Sequence, residues 1–202
     1  MSLSTSQAAN ELGVSSRQVR RAAAAGRISA SRSGAAHSFS ARQVRAIART
    51  THLGRDWSRI TQQAALDLLS SGTTRELTST ERSRLRQRIK RSEVGALAGQ
   101  ILRDRVSLRR AGNDESREKY PSSLARELGL SAGGGLGILV ANDAVRAARR
   151  ERLGLDDSGD IAVVEGDQNH RSVLEACALF AYGDARESVA AAEWIAAAQK
   201  TL

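Results

Sequence analysis

The sequence LSTSQAANELGVSSRQVRRAAAAGRI, residues 3–28, decides the fold of the first part of the chain. It contains two short runs of helix-forming residues, followed by Gly13 and Gly26 respectively. Hydroxyl side chains precede both runs; such residues cap helix N-termini, whereas glycine commonly ends helices. The pattern predicts two short helices joined by a tight turn. Thr5 is expected to cap a helix over residues 6–12. Ser15 or Ser16 is expected to cap a second helix, which ends at Ala25.

A β-hairpin and a third helix are predicted to follow. Residues 27–32 and 35–39 flank Ser33-Gly34, a dipeptide typical of a hairpin turn. Ser40 is placed to cap a helix over residues 41–49, and Thr50 to Gly54 is a candidate linker. Helix, turn, helix, hairpin and helix in this order predict a winged helix-turn-helix over residues 1–50.

The second of these helices has two chemically different sides. At 100° per residue, Val19, Ala22 and Ala23 fall on one side, and arginines fall on the other. Arginine suits guanine and phosphates, glutamine suits adenine, and hydroxyls at a helix N-terminus can hold a phosphate. The predicted DNA-binding residues on this helix are therefore Ser15, Ser16, Arg17, Gln18, Arg20 and Arg21.

The alternative interpretation is that these arginines only solvate a surface helix. Against it, Glu11 is the only acidic residue among residues 1–49. Residues 1–110 carry 21 Lys+Arg and 7 Asp+Glu, a net charge of +14, whereas residues 111–202 carry 10 and 15, a net charge of −5. The first half suits double-stranded DNA and the second a protein partner. A GC-rich genome, which favours arginine codons, is the other explanation of this asymmetry.

Composition narrows the class of protein further. Hydrophobic residues make up 41% of the chain and aromatic residues 3%, so we expect closely packed helices with small side chains. Cys177 is the only cysteine, which excludes an internal disulfide and fits a reducing cytosol. The three histidines are far apart, so no metal site or cofactor is expected. With no signal peptide or membrane span in the sequence, we expect a cytoplasmic protein without membrane contact.

Residues 51–110 are predicted to form a basic helical part. A helix over 58–70 is expected to bury Ile60, Ala64, Leu68 and Leu69, and a helix over 93–105 follows later. Between them, Thr78 and Glu81 form a capping box that opens a helix with Leu85 and Ile89 inward. The outward arginines of that helix are either a solvated face or a second set of DNA-backbone contacts; the candidates are Arg82, Arg84, Arg86 and Arg88.

Residues 111–202 are predicted to form an acidic α/β part. Strands are expected at 136–140 and 161–164, with helices at 122–128 and 143–153. Two helices end the chain, one of them opened by a capping box of Asp184 and Glu187. The predicted fold class is α+β and mainly helical: a winged helix-turn-helix over 1–50, then a helix-rich α/β domain over 51–202 that serves interaction.

No catalytic motif is evident, so we predict that the chain is not an enzyme. No Gly-x-Ser-x-Gly nucleophile motif occurs. Gly133-Gly134-Gly135-Leu136-Gly137 precedes a predicted strand instead of following one, which favours a turn over a phosphate loop. Asp156-Asp157 lies in a glycine-flanked segment, so these carboxylates are also predicted to form a turn.

Two family resemblances bear on function. Leu3 to Ala9, Leu12 to Ser15 and Gly26 to Ile28 resemble the winged helix-turn-helix of the MerR and excisionase families. That resemblance implies that the second helix enters the major groove and the wing lies near the minor groove or backbone. It thereby adds four predicted DNA-binding residues on or near the wing: Arg27, Arg32, Ser33 and His37. Several later pieces are similar, in order, to actinobacterial antitoxins of the abortive-infection AbiEi type; they are Gly54 to Ser58, Ala65 to Leu69, Arg82 to Arg88, Leu102 to Val106 and Gly183 to Glu187.

The antitoxin resemblance implies repression of the protein's own operon and opposition to a nucleotidyltransferase-like toxin, by contact or indirectly. Two alternatives stay open. One is an excisionase-type architectural factor, although such proteins are usually much shorter. The other is a one-component transcriptional regulator whose second half senses a ligand, although the low aromatic content makes a large pocket less expected. The neighbouring gene discriminates among them: a nucleotidyltransferase, an integrase or a metabolic operon.

Overall fold

The computed structural model describes residues 2–33, 36–50, 55–112, 119–130 and 135–202. It is a mixed α+β fold and mostly helical, as predicted. The helices are α1 Thr5–Leu12, α2 Ser16–Ala24, α3 Ala41–Thr50, α4 Arg59–Ser71, α5 Ser79–Arg91, α6 Val94–Leu102, α7 Ser123–Glu127, α8 Ala144–Arg150, α9 Arg171–Tyr182 and α10 Ala185–Thr201, with a 3-10 turn at Gln168–His170. The strands are β1 Ser2–Ser4, β2 Ala30–Ser33, β3 Ala36–Ser40, β4 Val106–Arg110, β5 Gly137–Ala141, β6 Gly154–Leu155 and β7 Ile161–Glu165.

A three-stranded antiparallel sheet in the order β1-β3-β2 stands beside the first three helices. The predicted hairpin is confirmed, since Ala30 pairs with Phe39 and Ser33 with Ala36. The predicted turn includes residue 34, which lies outside the described residues. Strand β1 was not predicted; it places Leu3 opposite Phe39, and both side chains are buried in the core that β1, β3 and the helices share.

The turn between α1 and α2 is built as the sequence predicts. Gly13 has a φ of +64° at the end of α1, a conformation that favours glycine. The predicted cap of α1 is wrong by one residue: Ser4 caps the helix and Thr5 is its first residue, because Gln7 supplies the reciprocal bond to the Ser4 backbone. Ser15 caps α2 in the same way, and Ser40 accepts from the Gln43 N–H at the start of α3.

The second sheet has the order β5-β7-β4-β6. β5 and β7 are parallel, whereas β4 runs antiparallel to β7 and to β6. The predicted strands at 136–140 and 161–164 are confirmed to within one residue. The predicted helix over 93–105 is too long, since α6 ends at Leu102 and Asp104 takes a φ of +56° before β4 begins. The helix predicted over 143–153 likewise ends at Arg150, and β6 follows.

The prediction of which residues α4 buries is wrong at the first turn of the helix. Ile60 is 57% exposed, whereas Gln62 is buried. The Gln62 side-chain amide donates to the Gln100 carbonyl oxygen at 2.9 Å, and its oxygen accepts from the Arg105 guanidinium at 3.3 Å. A buried polar group is stable when it is hydrogen-bonded in this way. A polar contact therefore joins α4 to the end of α6.

Helix α9 lies at the centre of the main core, in contact with α3, α6 and α10. Its stripe Val173, Leu174, Cys177 and Ala181 is buried as predicted, although Phe180 is only half-buried. Burial in this apolar setting raises the pKa of the Cys177 thiol to about 12. Thiolates, not thiols, are the reactive species.

We therefore expect Cys177 to be unreactive in the native protein. A chromogenic disulfide reagent at pH 8 should label it only at the rate of unfolding, and completely in denaturant. Rapid labelling of the native chain would contradict the burial of α9.

Candidate nucleic-acid interface

Helix α2 separates an apolar side from a basic side. Val19 is 1% exposed and packs with the half-buried Ala22 and Ala23 in the core of the first three helices. The basic side carries four exposed long side chains; they are Arg17, Gln18, Arg20 and Arg21. The predicted division of the helix is thus confirmed by burial. Spacings of three and four residues bring these arginines onto one surface.

The start of α2 carries a capping box that the sequence analysis missed. Ser15 Oγ accepts the backbone N–H of Gln18 at 3.3 Å, and Gln18 Oε1 accepts the backbone N–H of Ser15 at 2.8 Å. The signal was present, because a serine followed three residues later by glutamine is a capping pattern. Base reading by Gln18 would require its side chain to leave this cap, so Arg17 and Arg21 are the stronger candidates for base contacts.

The hairpin residues predicted for DNA binding lie on neighbouring strands. Arg32 and Ser33 are in β2, and Arg32 pairs in register with His37 of β3. The His37 ring is half-buried, with its centre 6.2 Å from that of Phe39. His37 is therefore packed on the hairpin. Arg27 is exposed in the segment between α2 and β2.

The one carboxylate among residues 1–49 does not face α2. Glu11 Oε1 forms an ion pair with Arg45 Nε of α3 at 3.1 Å. No acidic side chain of the first three helices thus competes for the arginines of α2 in the part of the chain described. The basic side of α2 is available to an external anion.

The four arginines proposed on α5 do not form one outward face. Arg82 and Arg86 are half-buried, which makes the predicted outward arrangement wrong for both. Arg86 donates to the Gly72 carbonyl oxygen at the end of α4. Arg88 is exposed, but its guanidinium lies 5.2 Å from the centre of the Trp57 ring, a cation–π contact. Arg84 is exposed, so it is the candidate best placed for a phosphate contact.

Helix α3 connects the DNA-binding candidates to the main core. Ala46 is buried among the residues of that core, and Arg49 donates to the carbonyl oxygens of Phe180 at 3.3 Å and Gly183 at 2.8 Å. Gly95 of α6 permits close approach, because a Cβ atom there would overlap the Arg49 carbonyl oxygen. The orientation of the first three helices is therefore fixed by contacts that the sequence analysis did not predict. The candidate linker, apart from Thr50, lies outside the described residues.

Comparison with known proteins gives no match to a protein family, to a curated protein or to a solved structure. Within the described residues, no helix is long and apolar enough to cross a membrane. The same residues contain no group of three or more histidine, cysteine or acidic side chains that could hold a metal ion.

Several acidic residues of the second half serve the fold. Asp143, Asp167 and Asp184 cap helices, and Glu187 completes the capping box of α10. Glu175 is fully buried and holds the start of α7. Part of the net charge of −5 in the sequence thus lies in helix-capping and buried carboxylates.

A cleft of about 490 Å³ separates the first sheet from the loop after β6. Ser31 and Ser38 line it on the sheet side, and Asp157 and Ser158 on the loop side. Asp156 holds this loop by accepting from Arg110 Nε of β4 at 2.6 Å. Hydrogen bonds from Ser158 and Arg110 lower the pKa of Asp156 to about 2, so the contact persists at neutral pH. The hairpin and the second sheet therefore face each other across a polar cleft.

Proposed function

We propose that this chain binds duplex DNA as a winged helix-turn-helix protein, with α2 in the major groove and the β2–β3 hairpin against the backbone or minor groove. The observation that carries the proposal is the surface of α2: Arg17, Arg20 and Arg21 are exposed over a buried Val19. Arg17 and Arg21 have the chemistry for guanine O6 and N7, and Ser16 for a phosphate, whereas the Ser15 hydroxyl already bonds to Gln18 in the capping box.

We further propose that the DNA is the operator of the protein's own operon, and that the chain is an antitoxin opposing a nucleotidyltransferase-like toxin. This part rests on the ordered resemblance to AbiEi-type antitoxins. Toxin opposition is assigned to residues 51–202, either by contact or by an indirect route. The identity of the neighbouring gene is the first test: an integrase would favour the excisionase alternative, and a metabolic operon the ligand-sensing one.

The two activities should be separable in the full-length chain. We expect the variant R17A/R21A to lose operator binding but still to rescue cells from the toxin, because both changes lie outside the proposed antitoxin part. Toxin and chain are each expressed from an unrelated promoter, so that repression cannot contribute. Cell growth measures rescue, and co-purification with the toxin distinguishes direct contact from an indirect route.

A matched control, R126A/R186A, removes the same charge from exposed positions on α7 and α10. The control should keep operator binding. Loss of rescue by a folded R17A/R21A chain would contradict the proposed separation of activities.

A further inference from the structure

Helix α8 carries a compact group of arginines in the half of the chain with net negative charge. Ala144, Ala147 and Ala148 are the buried side of this helix, which packs on β5 and β7. The opposite side and the following turn expose Arg146, Arg149, Arg150 and Arg152, here named the α8 arginine cluster. Arginine density of this kind gives a local positive potential whatever the net charge of the domain.

Most of the cluster is not neutralised. Arg150 Nε pairs with Glu151 Oε1 at 3.0 Å, and Glu151 also accepts the Tyr120 hydroxyl at 2.8 Å. No carboxylate in the described part of the chain lies within ion-pair distance of Arg146, Arg149 or Arg152. Three guanidinium groups therefore remain for an external anion. Favourable interaction with the C-terminal end of the helix dipole is the ordinary role of such arginines.

The backbone conformation of Arg152 is not explained by that ordinary role. It has a φ of +56° and follows α8 in a helix-ending motif, with the Leu153 N–H donating to the Ala148 carbonyl oxygen at 2.9 Å. Glycine is the preferred residue at this position, and other residues there cost about 1 kcal/mol or more. An arginine thus occupies a position where the backbone favours glycine. Departures from local preference of this kind are typical of functional positions.

The cluster lies near the proposed wing. Arg152 is four residues before Asp156, so their Cα atoms are at most about 14 Å apart. The loop that Asp156 anchors lines the cleft opposite Ser31 of β2 and Ser38 of β3. One turn of duplex DNA spans roughly 34 Å, which exceeds this separation between Arg152 and the cleft.

We propose that the α8 arginine cluster binds the phosphate backbone of the DNA that flanks the site read by α2. This inference rests on the proposed function and extends the interface from the first fifty residues to the second half of the chain. The contact is electrostatic and independent of sequence, because guanidinium groups recognise every phosphodiester alike. It fixes the position of the second half along the duplex.

The test compares the variant R146A/R149A/R152G with the control R126A/R186A/K200A. The control also removes three positive charges, but from exposed positions on α7 and α10. Glycine at position 152 suits the backbone, so the first variant keeps its fold; urea unfolding checks this. Affinity of the full-length chain for operator DNA is measured as a function of salt. We expect the slope of log affinity against log salt to fall by about 2–3 in the variant, and to stay nearly unchanged in the control.

The preference for operator over shuffled DNA should stay the same in the variant, since phosphate contacts carry no sequence information. Equal slopes for the variant and the control would overturn the inference. So would unchanged DNA binding with lost rescue from the toxin, which would assign α8 to an acidic protein partner. If the unmodified chain shows no salt-dependent binding to DNA, the proposed function itself fails.

Discussion

Alanine at Arg17 and at Arg21 is expected to weaken operator binding by about 1–3 kcal/mol for each substitution, because each guanidinium is placed to contact a base edge. Both side chains are exposed and project from the side of α2 opposite Val19, so their removal should leave the core unchanged. A loss of this size is roughly a 5- to 150-fold rise in Kd. The loss on shuffled DNA should be smaller.

Fluorescence anisotropy with operator and shuffled duplexes measures both losses. The substitution R84A is the matched control, since Arg84 is exposed on α5 and proposed only for phosphate contact. R84A should lower the affinity for both duplexes by the same factor. If R17A and R21A also reduce both affinities by the same factor, these residues contact phosphates and α2 does not read sequence.

The substitution E175A is expected to lower the free energy of unfolding by about 3 kcal/mol. Glu175 is fully buried on α9, and its Oε2 accepts from the hydroxyls of Ser122 and Ser123 and from the Leu124 N–H at 2.9–3.0 Å. Its Oε1 accepts from Arg171 Nε at 2.7 Å. Alanine would leave the buried Leu124 N–H and the Ser122 hydroxyl without their acceptor.

Urea unfolding followed by circular dichroism measures this effect. E127A is the control, because Glu127 is exposed at the end of α7 and its removal should change stability by less than about 0.5 kcal/mol. Similar midpoints for the two variants would show that Glu175 does not hold α7 against α9.

The features of the interface that the sequence predicted correctly depend on residues close together in the chain. The two sides of α2 follow from the spacing of Val19, Ala22 and Ala23, and spacing alone is enough when one helix packs on one neighbour. The turn at Gly13 and the capping box at Thr78 are also local, and both are confirmed. The capping box at Ser15 was missed, but it is equally local and could have been predicted.

The parts that could not be predicted depend on distant partners. β1 and β4 are short, and their pairing with β3 and β7 cannot be recognised from residues 2–4 or 106–110 alone. The position of α3 depends on Arg49 reaching carbonyl oxygens more than 130 residues away in the chain. The role of the buried Glu175 as an acceptor for the start of α7 likewise appears only in three dimensions.

The most direct test of the central claim is a titration of the full-length chain against the DNA upstream of its own gene and against a shuffled duplex of equal composition, from 50 to 200 mM salt. We expect salt-dependent binding to both duplexes, because arginine–phosphate contacts release counterions, and a preference for the natural sequence of about a thousandfold or more. Equal affinity for the two duplexes at every salt concentration would contradict sequence recognition by α2. Absence of binding to either would contradict the proposal that this chain binds DNA.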